Sequence, residues 1–325
     1  MSATETDTDA VRSPDHDPAE QAASLRFRFP GYLTEVGPVA HLRAERERLA
    51  GLSWEHFDAT PMGASIGAEL GGVDLREDLT DDVIAEIRQA LLDYKVIFFR
   101  DQDLTPAQHV AFARRFGELE VHPFIRSNDE QPELVRFEKT PKVGGYENGW
   151  HSDVSWRETP SLGAVLHAVE VPPNGGDTLF ADMYAVYEGL PAEVKERIAP
   201  LVGVHDFSQV FGLTIKPEDR AEMRDKFPPQ KHPVVRTHPE TGKPLVYVNR
   251  FFTSHIDGME LDESRALIES LCRFTDLPEY QCRFHWEDNS VAFWDNRAVQ
   301  HYATSDYWPA RRVMQRASII GDRPA

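Results

Sequence analysis

The sequence predicts a mainly β fold, a sandwich or jelly roll with helical decoration, on three observations. After Gly117 the helical apolar spacing stops, and short β-branched and aromatic runs follow, separated by Pro, Gly, Asn and Asp. Helical patterns sit ahead of these runs and midway through them rather than alternating with each strand, which argues against a parallel α/β sheet. The chain then closes on β-like runs: Cys282–Trp286, Ser290–Asp295 and Arg312–Ile320.

Taken in order, residues 1–20 are acidic, rich in Ser, Thr, Asp and Pro and poor in apolar residues, so disorder is expected there. Apolar residues return with Phe27, Phe29 and Tyr32, and a charged helical stretch runs from His41 to Leu49. Residues 1–50 are therefore read as an acidic segment and an arm, which packs on its own domain or on a second copy in a homo-oligomer. The sequence leaves both placements open. Residues 51–325 form the folded domain. Ile66 to Asp74 reads as a strand entering a glycine turn, and Thr80 caps a helix with Val83, Ile84, Ile87, Leu91 and Leu92 on one side. Lys95 to Arg100 is apolar throughout its middle, as in a strand buried on both faces. Thr105-Pro106 opens another helix, with proline at its first position. Strands are expected at Glu133–Phe137, Gly163–Val169 and Thr178–Ala181, then a helical insertion at about 184–230. Strands at Val234–Thr237 and Leu245–Asn249 and a helix at Asp262–Phe274 lead to the terminal β runs. No internal repeat is present.

The formal charge is -19, from 54 acidic and 35 basic residues, which argues against nucleic acid or an anionic membrane as partner. A small anionic substrate responds to local charge and stays open. Two cysteines, Cys272 and Cys282, supply neither a disulfide framework nor a zinc ribbon, and fit core thiols in a reducing cytoplasm. No apolar run is long enough to span a bilayer.

The stretch Trp150-His151-Ser152-Asp153-Val154-Ser155-Trp156 puts an imidazole and a carboxylate two residues apart, on one face if the segment is a strand. Together they are two thirds of the 2-His-1-carboxylate triad of non-haem Fe(II) sites. Trp294-Asp295-Asn296-Arg297 leads to a second histidine, His301. Other histidines, His109, His167, His205 and His285, fit core residues bonded to backbone. Arg312 and Arg316, four apart, share a face of the last strand. Two inward guanidinium groups need anions, and the arginine fork suits a carboxylate or sulfonate.

The chain from about Ala59 to Asp322 resembles the taurine dioxygenase (TauD/TfdA) family of Fe(II)/2-oxoglutarate-dependent oxygenases. The blocks that carry the resemblance are Trp150 to Asp153, Gly175-Gly176-Asp177-Thr178-Leu179-Phe180, His232 to Pro239, Tyr247-Val248-Asn249 with Phe252, and Trp294 to His301 followed by Arg316. It implies a double-stranded β-helix, the cupin-like jelly roll, with His151, Asp153 and His301 binding Fe(II). Thr178 and Arg312 would hold 2-oxoglutarate, O2 being the second cosubstrate. His122 and Arg316 match residues that hold a sulfonate, and Phe252 an aromatic wall of the substrate pocket. The implied reaction hydroxylates a small anion, foremost an organosulfonate such as taurine, giving succinate and CO2 with C–S cleavage after hydroxylation.

Two positions depart from the taurine pattern: Ile125 and Glu147 stand where a tyrosine and an asparagine help to hold the substrate amine. Isoleucine removes a hydroxyl, and an unpaired glutamate would favour a cationic tail over a second anion. The same mechanism on an alkyl sulfate ester, aryloxyalkanoate or amino-acid-like carboxylate therefore stays open. A non-catalytic jelly-roll binding protein is the reading from another class, and a cosubstrate cradle of Thr178 and Arg312 weighs against it.

Overall fold

The run from Lys95 to Arg100 is apolar because the strand it forms is covered on both sides. Val96 and Phe98 face Phe180, Phe284 and Trp294, whereas Ile97 and Phe99 face two helices. The computed structural model that shows this describes Gly37 and residues 39–325, apart from 124, 126, 128, 129, 146, 213 and 214. The acidic segment 1–20 and Phe27, Phe29 and Tyr32 of the arm lie outside the described residues.

In chain order the strands are β1 (Asp58–Pro61), β2 (Ala68–Gly71), β3 (Val96–Phe99), β4 (Leu134–Lys139) and β5 (Ser161–Glu170). They continue with β6 (Thr178–Asp182), β7 (Val202–His205), β8 (Gln230–Pro233), β9 (Val235–Thr237) and β10 (Pro244–Val246). The last are β11 (Thr253–Ile256), β12 (Gln281–Phe284), β13 (Val291–Asp295), β14 (Val299–Ala303) and β15 (Arg312–Ile320). Among the described residues a seven-stranded sheet runs β1-β2-β3-β13-β5-β15-β4, and a three-stranded sheet runs β12-β6-β14. Phe180, Phe284 and Val299 of the small sheet pack on Phe98, Ala292, Trp294 and Met314 of the large one. Two sheets closed face to face on an apolar interior make the predicted jelly roll.

Helices cover the outside of the large sheet. The helix α1 is Leu42–Ala50, α2 is Asp81–Tyr94 and α3 is Pro106–Arg114. Thr80 caps α2, and Thr105 with Gln108 forms a capping box on α3. Ile87, Leu91 and Phe112 then bury against Phe99 and Phe293. Helix α1 is tied to the same body by charge. The buried Lys95 donates from Nζ to Glu45 Oε1 at 2.7 Å and to the Ser65 carbonyl at 2.6 Å, with Asp182 at 3.5 Å. Arg48 also reaches Asp93 at 2.6 Å.

Three expectations need correction. The stretch 150–156 is not a strand: it makes one β-bridge at His151 and then turns. The region 184–230 is not wholly helical. It holds α4 (Met183–Glu188), α5 (Ala192–Ile198), α6 (Ser208–Phe211) and α7 (Arg220–Lys226), but β7 runs between them and pairs with β8 and β11. The apolar stripe of these short helices masked a strand only four residues long. His285 is exposed and paired to Asp177 at 2.7 Å, because alternation along β12 and beyond turns Cys282, Phe284 and Trp286 inward and His285 outward. The other three histidines are buried as expected: His109 bonds the Val165 carbonyl at 2.9 Å, and His205 lies 3.0 Å from Ser155 Oγ.

Candidate active site

His301 enters the site from β14, whose backbone pairs with β6 opposite Phe180. On the other side its backbone exchanges both hydrogen bonds with His151, N to O at 2.9 and 3.1 Å. The two imidazoles are thus antiparallel neighbours, their ring centres 4.2 Å apart. Beyond His151 the chain turns through Val154, whose φ of 45° is left-handed and unusual for a β-branched residue. Asn296 stabilises that geometry. Its Oδ1 accepts from the Asp153 N–H at 2.7 Å, and its Nδ2 donates to the Asp153 carbonyl at 2.9 Å and the Ser161 carbonyl at 3.1 Å. The turn, rather than strand alternation, therefore brings Asp153 beside the histidines. One ligand atom from each of His151, Asp153 and His301 lies within 4.8 Å of the others.

The electrostatics suit a cation. Burial, and then the neighbouring His151, pushes the His301 pKa down to about 3, and burial lowers that of His151. His151 Nδ1 lies 2.8 Å from the Gly149 carbonyl and so carries the proton, leaving the Nε2 lone pair toward Asp153. Burial pushes the Asp153 pKa up, but Arg316 and the two histidines outweigh it and hold it at about 2. Two neutral imidazoles, each with one free nitrogen lone pair, and one ionised carboxylate are the donor set of a divalent transition metal.

Two cavities meet at this cluster. One, of about 80 Å³, is lined by Thr178, Arg312, Tyr307, Met314 and His301. The other, of about 500 Å³, is lined by His122, Ile125, Asp153 and Phe252 with Trp156, Val210, Phe211, Ile215 and Phe251. His151, Arg316, Glu147, Lys139 and Phe137 border both. Every residue predicted for the site lines one cavity or the other.

Arg312 and Arg316 both face inward from β15, as their spacing requires, and both are buried. Arg316 Nη1 donates to both Asp153 oxygens at 2.9 Å. Arg312 bonds only the Gly176 carbonyl, at 3.1 Å, and its buried Nε has no partner among the described residues. His122 Nδ1 accepts from the Ile125 N–H at 3.2 Å, so its proton sits on Nε2. Burial, and then Arg316, pushes the His122 pKa to about 3, which keeps that ring neutral.

Glu147 differs from expectation. It is not an unpaired carboxylate, because buried Lys139 donates to it at 2.6 Å. Lys139 escaped the sequence reading, since nothing in Leu134–Lys139 marks which side chain turns inward. Asn296 could have been found: it stands inside the Trp294 to Arg297 block already singled out.

The family described as "Taurine catabolism dioxygenase TauD, TfdA family" matches residues 58–318. An alkylsulfatase of Acinetobacter baylyi is 34% identical over 265 residues, 79% of this chain and 83% of that protein. An alpha-ketoglutarate-dependent sulfate ester dioxygenase of Pseudomonas putida is 34% identical over 277 residues, 82% of this chain and 91% of that protein. A crystal structure of a taurine dioxygenase from Burkholderia xenovorans superposes with a TM-score of 0.73 at 38% identity, covering 83% of this chain and 91% of that one. With the family match spanning the jelly roll and its two cavities, the chain belongs to the TauD/TfdA family and is a 2-oxoglutarate-dependent dioxygenase.

Proposed function

We propose that this enzyme binds Fe(II) through His151, Asp153 and His301 and hydroxylates a small organosulfur anion with an apolar tail, a sulfate ester foremost. The observation that carries the reading is the meeting of two arginine-bearing cavities at one His-Asp-His cluster. In the smaller cavity Arg312 and Thr178 would hold the distal carboxylate of 2-oxoglutarate, the arginine by its fork and the threonine by its hydroxyl. In the larger one Arg316 and the Nε2–H of His122 would hold the anionic head, and Phe211, Phe251, Phe252 and Trp156 would take up the tail. The pairing of Glu147 with Lys139 removes the argument for a cationic tail, and the apolar wall favours an alkyl chain over the taurine amine. The two relatives named for sulfate esters support that order.

Fe(II), when bound, supplies the activation of O2 against 2-oxoglutarate that yields succinate and CO2 and inserts one oxygen into a substrate C–H bond. The protein's part is placement. Hydroxylation at the carbon bearing the sulfate oxygen would let the C–O bond break to an aldehyde and sulfate; the same step beside a sulfonate would release sulfite. Walls of Phe180, Trp294 and Met314 keep the cosubstrate side apolar, so charge contacts there are little weakened by water.

The test is succinate release with Fe(II) and ascorbate over a panel of alkyl sulfates, alkanesulfonates, taurine and phenoxyacetate. Turnover coupled best to the alkyl sulfates is expected. A panel in which only phenoxyacetate couples would replace the organosulfur reading with the aryloxyalkanoate one.

A further inference from the structure

Thr178 carries a hydroxyl into the smaller cavity, and a hydroxyl is ambiguous. It has one proton to donate and two lone pairs, and it rotates toward whichever neighbour fits. A hydroxyl that is to grip a carboxylate must keep its proton for that carboxylate. The residue that settles its direction here is Trp286, just beyond β12. Its indole Nε1–H donates to Thr178 Oγ1 at 2.9 Å, between two buried side chains. Indole is a donor only, so the threonine oxygen can only accept from it, and the threonine proton is left to point away into the cavity.

The same indole lies beside the other half of the cradle. The Arg312 guanidinium carbon lies 6.0 Å from the Trp286 ring centre and 5.6 Å from that of Tyr307, within cation–π range of both rings. Trp286 itself is fixed edge-on against Phe284, ring centres 4.9 Å apart, within the core between the sheets. One rigid side chain therefore bears on both residues read above as cosubstrate contacts.

We propose that Trp286 is a positioning residue for the cosubstrate: by donating to Thr178 Oγ1 it commits the threonine hydroxyl to act as a donor to the 2-oxoglutarate carboxylate. The inference rests on the assignment of Thr178 to that carboxylate. Trp286 does not touch the cosubstrate and acts through Thr178.

The test is a double-substitution cycle read by equilibrium binding, with 2-oxoglutarate titrated calorimetrically into the full-length Mn(II)-loaded protein. Thr178→Val should weaken binding about tenfold, the scale of one charge-assisted hydrogen bond. Trp286→Phe keeps a ring and loses the N–H; it should weaken binding several-fold in the native background and have no further effect beside Thr178→Val. Thr178→Ser, which keeps the hydroxyl, should restore most of the loss. Equal losses from Trp286→Phe in both backgrounds, or none in either, would overturn the proposal while leaving the cosubstrate reading intact. Native affinity in Thr178→Val would overturn that reading, and the proposal with it. If Trp286→Phe does not fold, the Trp286 indole N–H resonance of the Zn(II)-loaded protein decides. It should move on Thr178→Val and stay on Thr178→Ser, and a resonance indifferent to Thr178→Val refutes the bond.

Discussion

Arg316 Nη1 stands 2.9 Å from each oxygen of Asp153, so the arginine that borders both cavities also neutralises the carboxylate of the His-Asp-His cluster. Arg312, four residues away on the same strand face, bonds the Gly176 carbonyl and pairs with no carboxylate among the described residues. The two guanidinium groups share a strand and a charge but not a task.

Their replacement by lysine should separate them. Arg312→Lys keeps the charge and loses the fork, and 2-oxoglutarate binding should weaken by about 1–3 kcal/mol. Arg316→Lys should instead raise KM for the organosulfur substrate and lower metal affinity, because it loosens a contact to Asp153. KM for each ligand and Fe(II) affinity, measured in both variants, check this; interchanged effects would reverse the two assignments.

His301→Ala removes one of three donors. Iron stoichiometry should fall well below one per chain, and the absorption that Fe(II) and 2-oxoglutarate develop together should disappear. Metal analysis and anaerobic spectra are sufficient. Full iron loading of this variant would mean that His301 is not a ligand.

Glu147 and Lys139 border both cavities as a pair, so removing either charge changes the field on any bound anion. Glu147→Gln should tighten anion binding and Lys139→Met should weaken it. Each shift should be about threefold to tenfold, the scale of a partly screened charge several ångströms away. The double variant should return toward native KM. Shifts of the same sign from both single substitutions would show that packing, not charge, is at work.

Acid should destabilise the fold through buried histidines that are not members of the cluster. Burial pushes the pKa of His109 to about 3 and that of His232 to about 4, and lowers that of His205 well below its ordinary value. Above about pH 6.5 these rings are neutral whether the chain is folded or not, and they cost nothing. Below that the unfolded chain takes up protons that the folded chain refuses, so stability falls as pH drops from about 6.5 toward the folded-state values. Each ring contributes up to about 1.4 kcal/mol per pH unit. Urea midpoints from pH 7.5 to about 5 should show the decline, and His109→Gln should make it shallower.

Much of this was legible because the signals were local. Thr80 and Thr105 announce their helices by hydrogen bonds within one turn, and the apolar run of β3 needs two covered faces. That Arg312 and Arg316 share one face follows from strand alternation alone. What was not legible depends on contacts between distant residues. The turn at Val154 is held by Asn296, which lies far along the chain, so His151 and Asp153 looked like neighbours on a strand. The partner of Glu147 had to be found across a loop, and short β7 is a strand chiefly because β8 and β11 flank it.

The family match begins at residue 58, whereas Glu45, the nearest counter-charge of buried Lys95, precedes it. Lys95 also faces Asp182, the last residue of β6, and Thr178 is the first. A chain trimmed to the matched stretch would keep every residue named for the site and lose the nearer of the two carboxylates that face Lys95, leaving Asp182 and the Ser65 carbonyl to hold the ammonium alone. Two ion pairs, Glu45 to Lys95 and Arg48 to Asp93, thus join a helix that precedes the matched stretch to the sheet and helix that carry the fold.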